Sequence, residues 1–217
     1  MKVKSQFHHM SELDVRILDK KCRFQGFFTI EEYQVSHKLF NGGMSKVLNR
    51  EIFERGDAVA VIPYDPVRNS LIVVEQFRVG AIRTQTNPWL IEFIAGMFSD
   101  NESPVDVAVR EAKEEANIVL EPDKMRHIMT YLSSPGGTSE QLHLYAAPVD
   151  ARNVGGVFGL EEEGEDIKVH EIGLNDALAL INDGTINNAM TIIGIQWLAL
   201  NYSQLQSHWA DNDKTKS

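Results

Sequence analysis

The chain has 217 residues, 43% of them apolar, and a formal net charge of −10. That is enough material for one cored domain with a smaller addition, and the acidic balance argues against non-specific binding to nucleic acid. No run of eighteen or so apolar residues is present, the N-terminal MKVKSQFHHM has no signal-peptide core, and the single Cys22 allows neither an internal disulfide nor a zinc site, so a soluble cytoplasmic protein with no membrane partner is expected. In chain order, residues 1–55 hold the alternating segments VRILDKKCRFQGFFTI and YQVSHKLFNGGM with an Asn41-Gly42 turn, which predicts a small antiparallel sheet. From residue 56 the pattern is strand-rich: AVAVIPYD, SLIVVEQFRVG, WLIEFIA, then a helix, then RHIMTYLSS, QLHLYAAPV and DIKVHEI. Two helices follow, over about Asn175–Asn182 and Asn188–Gln204, the second with Ile192, Ile195, Leu198 and Leu200 among its apolar positions. Residues 206–217 are expected to fray. Strands mixed with a few helices, without strict βα repeats, predict a mixed sheet between helices.

The chemistry is concentrated in Gly96 to Ile118, GMFSDNESPVDVAVREAKEEANI, which spaces its residues as G-x5-E-x7-R-E-x-x-E-E. Ser103 is a predicted N-cap, Pro104 suits the first helical position, and Asp106 is a weaker relative of the capping-box acid. Val105, Ala108, Val109, Ala112 and Ala116 form a stripe of small apolar residues expected to pack on a sheet. Glu111 and Glu115 are four apart and project side by side, with Glu114 roughly 80–100° further round. Like charges this close call for a counter-charge, and Mg²⁺, which prefers carboxylate oxygens, water and substrate phosphates, is the expected one. The ordinary alternative for an E/K-rich helix is a solvated face. Trp89 to Ala95 reads as one buried strand, ended by Gly96 where the chain turns into a loop.

This spacing resembles the motif of the Nudix hydrolases. The resemblance implies an α/β (α+β) fold, the Nudix α/β/α sandwich with a mixed sheet, here preceded by the small N-terminal antiparallel β domain. It also implies that Glu111 and Glu115 are metal ligands joined by the Ala95 carbonyl, with Glu114 contributing to the same site and to catalysis. Two or more Mg²⁺ ions are implied, with Mn²⁺ as a substitute. Glu102 and Arg110 would be partners holding the loop against the helix. Asn117 stands where the family pattern has glycine, and it tolerates the left-handed conformation that a helix end requires.

Beyond the motif, GFF at 26–28, HKLFNGGMS at 37–45, REIFERG at 50–56, PYDPVRN at 63–69, VEQFR at 74–78, SSPGGTSE at 133–140 and GLEEEGEDIKVH at 159–170 resemble the ADP-ribose pyrophosphatase subfamily. By that resemblance Arg50 and Arg78 line the substrate site; the alternative is a surface ion pair with Glu51 or Glu75. One of Phe27 and Phe28 would stack on adenine, the alternative being a core phenylalanine. Gly137 and Glu140 would lie near the terminal ribose. Glu163, with Glu165 as second candidate, is expected to be the base that reaches a water from a mobile loop, against the plain reading of a surface acidic loop. The implied reaction is metal-assisted attack of water on the diphosphate, at the adenosyl phosphorus by family analogy, giving AMP and ribose 5-phosphate. A homodimer with exchanged N-terminal regions, residues 1–55 completing the adenine pocket and residues 56–205 forming the hydrolase domain, is implied as well. Two other readings stay open: a hydrolase of another nucleoside diphosphate sugar such as GDP-mannose, and an ADP-ribose-sensing domain without turnover.

Overall fold

The computed structural model describes residues 9–84, 87–99 and 101–214. By its internal contacts the chain divides into two units: residues 1–56 with Leu132–Glu140, and residues 57–131 with 141–217. The first is a three-stranded antiparallel sheet of β1 (Val15–Gln25), β2 (Thr29–His37) and β3 (Leu48–Glu54), with β2 in the centre. Of its strand residues only Ser36 is buried; most of β2 and the end of β3 are half-buried, while Ile17, Leu18 and Phe24 lie on the surface. After β2, Gly42 donates its N–H to the Leu39 carbonyl and both Gly42 and Gly43 have positive φ, so the chain reverses where Asn41-Gly42 predicts a turn.

The second unit is built on β4 (Asp57–Asp65) and β5 (Ser70–Phe77), both buried nearly throughout. Around them come β6 (Trp89–Glu92), β7 (Ile94–Phe98), β8 (Arg126–Leu132), β9 (Gln141–Pro148), β10 (Gly156–Phe158) and β11 (Ile167–Gly173), in the order β10-β11-β5-β4-β9-β8, with β6 on β5 and β7 on β4. β4 and β9 run parallel, whereas β10–β11, β11–β5, β5–β4, β4–β7 and β5–β6 run antiparallel, so the sheet is mixed.

Strand alternation sends Val59, Val61, Ile72 and Val74 to one face, where α1 (Pro104–Ala116) covers them with Val107, Ala108, Ala112 and Ala116. Ala60, Ile62, Tyr64, Leu71 and Val73 point to the other, under α2 (Leu174–Asn182) and α3 (Ala189–Lys214). Helices on both faces of one sheet make the α/β/α sandwich.

Five local expectations change. WLIEFIA is two strands rather than one, broken at the fully buried Phe93, and Gly96 lies inside β7 instead of ending it. The apolar stripe of α1 centres on Val107, with Val105 and Val109 only half-buried, because the sheet meets the helix one position away from the expected axis. Leu200 is 82% exposed: it sits two residues after buried Leu198, on the opposite side of a helix. Residues 206–214 continue α3 rather than fraying, since Leu205 and Trp209 are buried and the Trp209 indole donates to the Lys124 carbonyl at 3.0 Å. Residues 215–217 lie outside the described residues. Among the described residues no helix is long and apolar enough to cross a membrane.

Candidate active site

Helix α1 starts after Ser103, as the sequence predicts, but neither the Ser103 hydroxyl nor Asp106 closes a capping box. The start is set instead by the extended backbone of Ser103 and by Pro104, whose ring pre-orders the first turn. At the other end Asn117 takes the left-handed conformation (φ 53°, ψ 32°), its N–H bonds to Lys113 O and the Ile118 N–H to Ala112 O at 2.9 Å. This is an αL cap made without glycine, its Asn117 N–H reaching back to the Lys113 carbonyl, and the Lys113 ammonium bonds the Asn117 side-chain oxygen.

Between those ends the helix lays Glu111 and Glu115 against β7. Gly96 pairs with Val59, which faces α1, so it too faces the helix. A Cβ placed on Gly96 would lie 2.2 Å from Glu111 Oε1. The glycine is therefore required by the approach of a carboxylate, not by a turn. Glu115 is 2% exposed, and its Oε2 accepts the Ala95 N–H at 3.2 Å. Desolvation, then repulsion from Glu111, pushes its pKa up to about 8 against the Ala95 hydrogen bond, with Glu165 adding repulsion and Arg78 a weaker opposing attraction. Glu111 is pushed up to about 6, first by desolvation, with the Arg110 charge opposing and the charges of Glu114 and Glu165 reinforcing.

The expected partnership of Glu102 and Arg110 is not formed. Glu102 turns back to accept the N–H and hydroxyl of Ser99, both at 3.1 Å, and so closes the loop on itself. Arg110 pairs with Glu111 at 2.9 Å and with Glu114, one turn along, also at 2.9 Å. A protein cation thus offsets two of the three clustered glutamates of α1, and among the described residues Glu115 has no ion pair. Nor are three acidic or His/Cys side chains drawn into a tight cage among the described residues.

Glu163 and Glu165 lie on the segment before β11, which is tied to α1 by the Gly159 N–H on the Glu114 carbonyl at 3.3 Å. Glu163 ends a short 3-10 turn over Glu161–Glu163 and is exposed. Glu165 is half-buried, accepts the Leu160 N–H at 3.1 Å, and is the loop acid whose charge reaches Glu111 and Glu115. Gly159, at φ +108°, lets the segment double back, since a Cβ there would lie 2.6 Å from that of Glu165.

Arg78 bonds neither Glu75 nor its neighbours on β5. Its Nε donates to Glu92 at 2.8 Å, Gln76 donates to the same oxygen at 3.4 Å, and its terminal amino groups have no partner among the described residues. Glu75 pairs with His170 instead. Val74, Gln76 and Glu92 share the α1 face of the sheet by strand alternation. The sequence reading missed Glu92 and Gln76, whose alternation with the apolar residues of their strands is the signal that marks them.

In the first unit Phe27 is 89% exposed, whereas Phe28 is half-buried between Phe27 and Phe53, with ring centroids at 4.7 and 5.0 Å. Gly137 accepts the Phe53 N–H at 2.8 Å, and Glu140 is buried, taking the Ser133 hydroxyl at 2.6 Å and Arg55 at 3.3 Å. Arg50 is exposed on β3 and bonds the Asn49 carbonyl; it is not paired with Glu51 among the described residues. A cavity of about 850 Å³ bordered by Asp65, Arg68, Asn117, Glu121, Pro148 and Arg152 belongs to the second unit, and none of the expected site residues lines it.

The NUDIX domain model matches residues 54–189, which include α1, β7 and the acidic loop. The chain belongs to the Nudix family. An ADP-ribose pyrophosphatase of Haemophilus influenzae is 45% identical to this Nudix chain over 208 residues, covering 94% of this chain and 95% of that one. A GDP-mannose pyrophosphatase of Pectobacterium atrosepticum is 32% identical over 186 residues, 84% of this chain and 92% of that one. A crystal structure of an ADP compounds hydrolase superposes with a TM-score of 0.62 at 21% identity, over 88% of this chain and 96% of the other, which establishes the shared fold.

Proposed function

We propose that this Nudix protein hydrolyses the diphosphate of ADP-ribose to AMP and ribose 5-phosphate with the help of bound divalent metal, Mg²⁺ in the cell. The observation that carries the reading is Glu115: a carboxyl 2% exposed, beside Glu111, raised to about 8 and lacking any cation partner among the described residues. A buried carboxyl without a counter-charge keeps its proton unless a cation from outside the chain takes that proton's place. The donor set suits a hard dication, since Glu115, Glu111, the Ala95 carbonyl and Glu114 all offer oxygen. When bound, the metal supplies Lewis-acid charge at the phosphoryl oxygens and an acidified water.

The residues divide the remaining work. Glu163, exposed and with no side-chain hydrogen bond among the described residues, serves as base; Glu165, engaged by Leu160, adds negative charge to the metal-binding face. Arg78, anchored through Nε by Glu92, presents its terminal N–H groups to the diphosphate. Phe28 stacks on the base, Glu140 and Gly137 line the ribose side, and Arg50 contributes a further cation. The oxygen of water ends on the adenosyl phosphorus, while the bridging oxygen leaves with ribose 5-phosphate.

The level of identity to the ADP-ribose enzyme, against that to the GDP-mannose enzyme, favours ADP-ribose. A panel of nucleoside diphosphate sugars with detection of the monophosphate products tests this. ADP-ribose should give the highest kcat/KM; preference for GDP-mannose, or binding of ADP-ribose without turnover, contradicts the reading. We further propose a cytoplasmic homodimer. The three-stranded sheet leaves Ile17, Leu18, Phe24, Phe27 and Phe40 exposed, apolar area that a second copy would cover. An active species of 24.4 kDa by gel filtration contradicts it.

A further inference from the structure

The geometry points to a second metal site in this chain: a two-histidine site for a transition dication such as Zn²⁺ or Cu²⁺, formed by His127 and His143 with the Thr130 hydroxyl between them. It lies within the second unit and shares no residue with the oxygen donors of α1 and β7. It therefore stands or falls separately from the hydrolase reading.

The neighbouring strands β9 and β8 end the order of the large sheet, and two local features bring the three side chains together. His143 pairs with Val59 and Tyr145 with Val61, so both lie on the α1 face of the sheet. On β8 the exposed and half-buried positions alternate except at Ile128 and Met129, which both pack against the core of the opposite face. That slip puts His127 and Thr130, three positions apart, on one face, whereas a regular strand would send them to opposite sides.

The Thr130 hydroxyl lies 3.0 Å from His127 Nε2 and 3.2 Å from His143 Nδ1. A hydroxyl carries one proton, so it donates to one imidazole and accepts from the other, and one ring nitrogen already turns its lone pair inward. The two imidazole centroids are 6.4 Å apart. Zn–N bonds are about 2.0–2.1 Å, which puts neighbouring donors of a tetrahedral site roughly 3.3 Å from each other. The nitrogen-to-oxygen separations are already close to that spacing. Each ring is also backed by an aromatic one in an edge-on arrangement: Tyr145 lies 5.1 Å from His127, and Phe98 lies 5.3 Å from His143. Rings held this way lose less freedom when an ion arrives.

Stability does not account for the arrangement. His127 is exposed and His143 half-buried, so water could satisfy the same nitrogens and the hydrogen bonds add little. The donor type selects the ion. Imidazole suits Zn²⁺, Cu²⁺ and Ni²⁺, whereas Mg²⁺ keeps to oxygen, and the net charge of −10 favours any cation. Water would complete the coordination, with Thr130 holding the rings in place.

Calorimetric titration of the full-length protein with ZnCl₂ in excess Mg²⁺ tests the site. Wild type and Glu115→Gln should both bind a Zn²⁺ ion that Mg²⁺ does not displace. His127→Ala and His143→Gln should each weaken that binding by more than the ~10–100-fold that loss of a supporting partner costs, and Thr130→Val by about tenfold. Absence of Zn²⁺ binding, its loss in Glu115→Gln, or its survival in both histidine variants, as at the adjacent His8 and His9, overturns the proposal. If His143→Gln does not fold, His127→Ala decides, since its ring is exposed.

Electron spin-echo spectroscopy of the protein loaded with one equivalent of Cu²⁺ supplies a second readout. The wild type should show two coordinated imidazoles and each histidine variant only one. A spectrum without imidazole nitrogen, or one that neither substitution alters, contradicts the assignment.

Discussion

The face of α1 and the Phe28–Arg55–Glu140 cluster both bury a glutamate, and they treat its charge in opposite ways. Glu140 is matched within the chain, by Arg55 on one oxygen and Ser133 on the other. Glu115 has one backbone N–H and beyond it mostly repulsion, from Glu111 and Glu165. The difference teaches what each region awaits. A carboxylate already satisfied is rigid and fit to orient a neutral ligand group, whereas one left unmatched is fit to receive a cation from outside.

The largest effect expected to sharpen this contrast is that of Glu115→Gln. It should lower kcat by at least about 10²–10³-fold, beyond the ~10–100-fold typical of residues that merely support a ligand, while the melting temperature of the metal-free protein is kept or raised. Glu140→Gln should act mainly on KM. Equal kinetic signatures for the two variants would erase the distinction. Next comes Gly96→Ala, whose new Cβ must displace Glu111. A fall in kcat of about 10²-fold, with a stability loss of roughly 1–3 kcal/mol by chemical unfolding, is expected from such overpacking. Full activity would show that Glu111 can move away without consequence.

The pH dependence of stability gives a third test, with its sign fixed by the raised acids. The folded form holds protons on Glu115 between the ordinary value of 4.5 and about 8, where the unfolded chain has released them. Stability of metal-free protein should therefore fall as pH rises across that window, the reverse of the trend for a salt-bridged carboxylate. Melting temperatures should drop between pH 5 and 8 by roughly 2–4 °C for each kcal/mol involved, and Glu115→Gln should flatten the slope. A slope identical to that of wild type would place the titration elsewhere. Smallest is the comparison of Phe28→Ala with Phe27→Ala: KM should rise about tenfold for the first, in line with the loss of base stacking, and hardly at all for the second.

The sequence made the α1 face legible because spacing alone brings Glu111, Glu114 and Glu115 together, and the paired apolar runs of β4 and β5 announced a sheet buried on both sides. It did not reveal where charges would settle. Arg110 could reach Glu102 or the two glutamates on its own helix, and only the packed geometry decides for the latter. In the sequence Gly96 signals a turn, as glycine does more often than close approach, and the contact with Glu111 exists only once helix and strand are packed. Trp209 is hidden in a polar tail because its anchor, the Lys124 carbonyl, lies 85 positions away. Phe27 and Phe28 are adjacent and equivalent in the sequence, and only packing separates the exposed ring from the half-buried one.

Chelator-stripped protein assayed with ADP-ribose, before and after Mg²⁺ is restored, tests the role of the unmatched α1 carboxylates most directly. The stripped wild type should form no AMP and regain full turnover with added Mg²⁺, while Glu115→Gln stays impaired at every metal concentration. Turnover by the stripped protein at the undiminished rate would contradict the account.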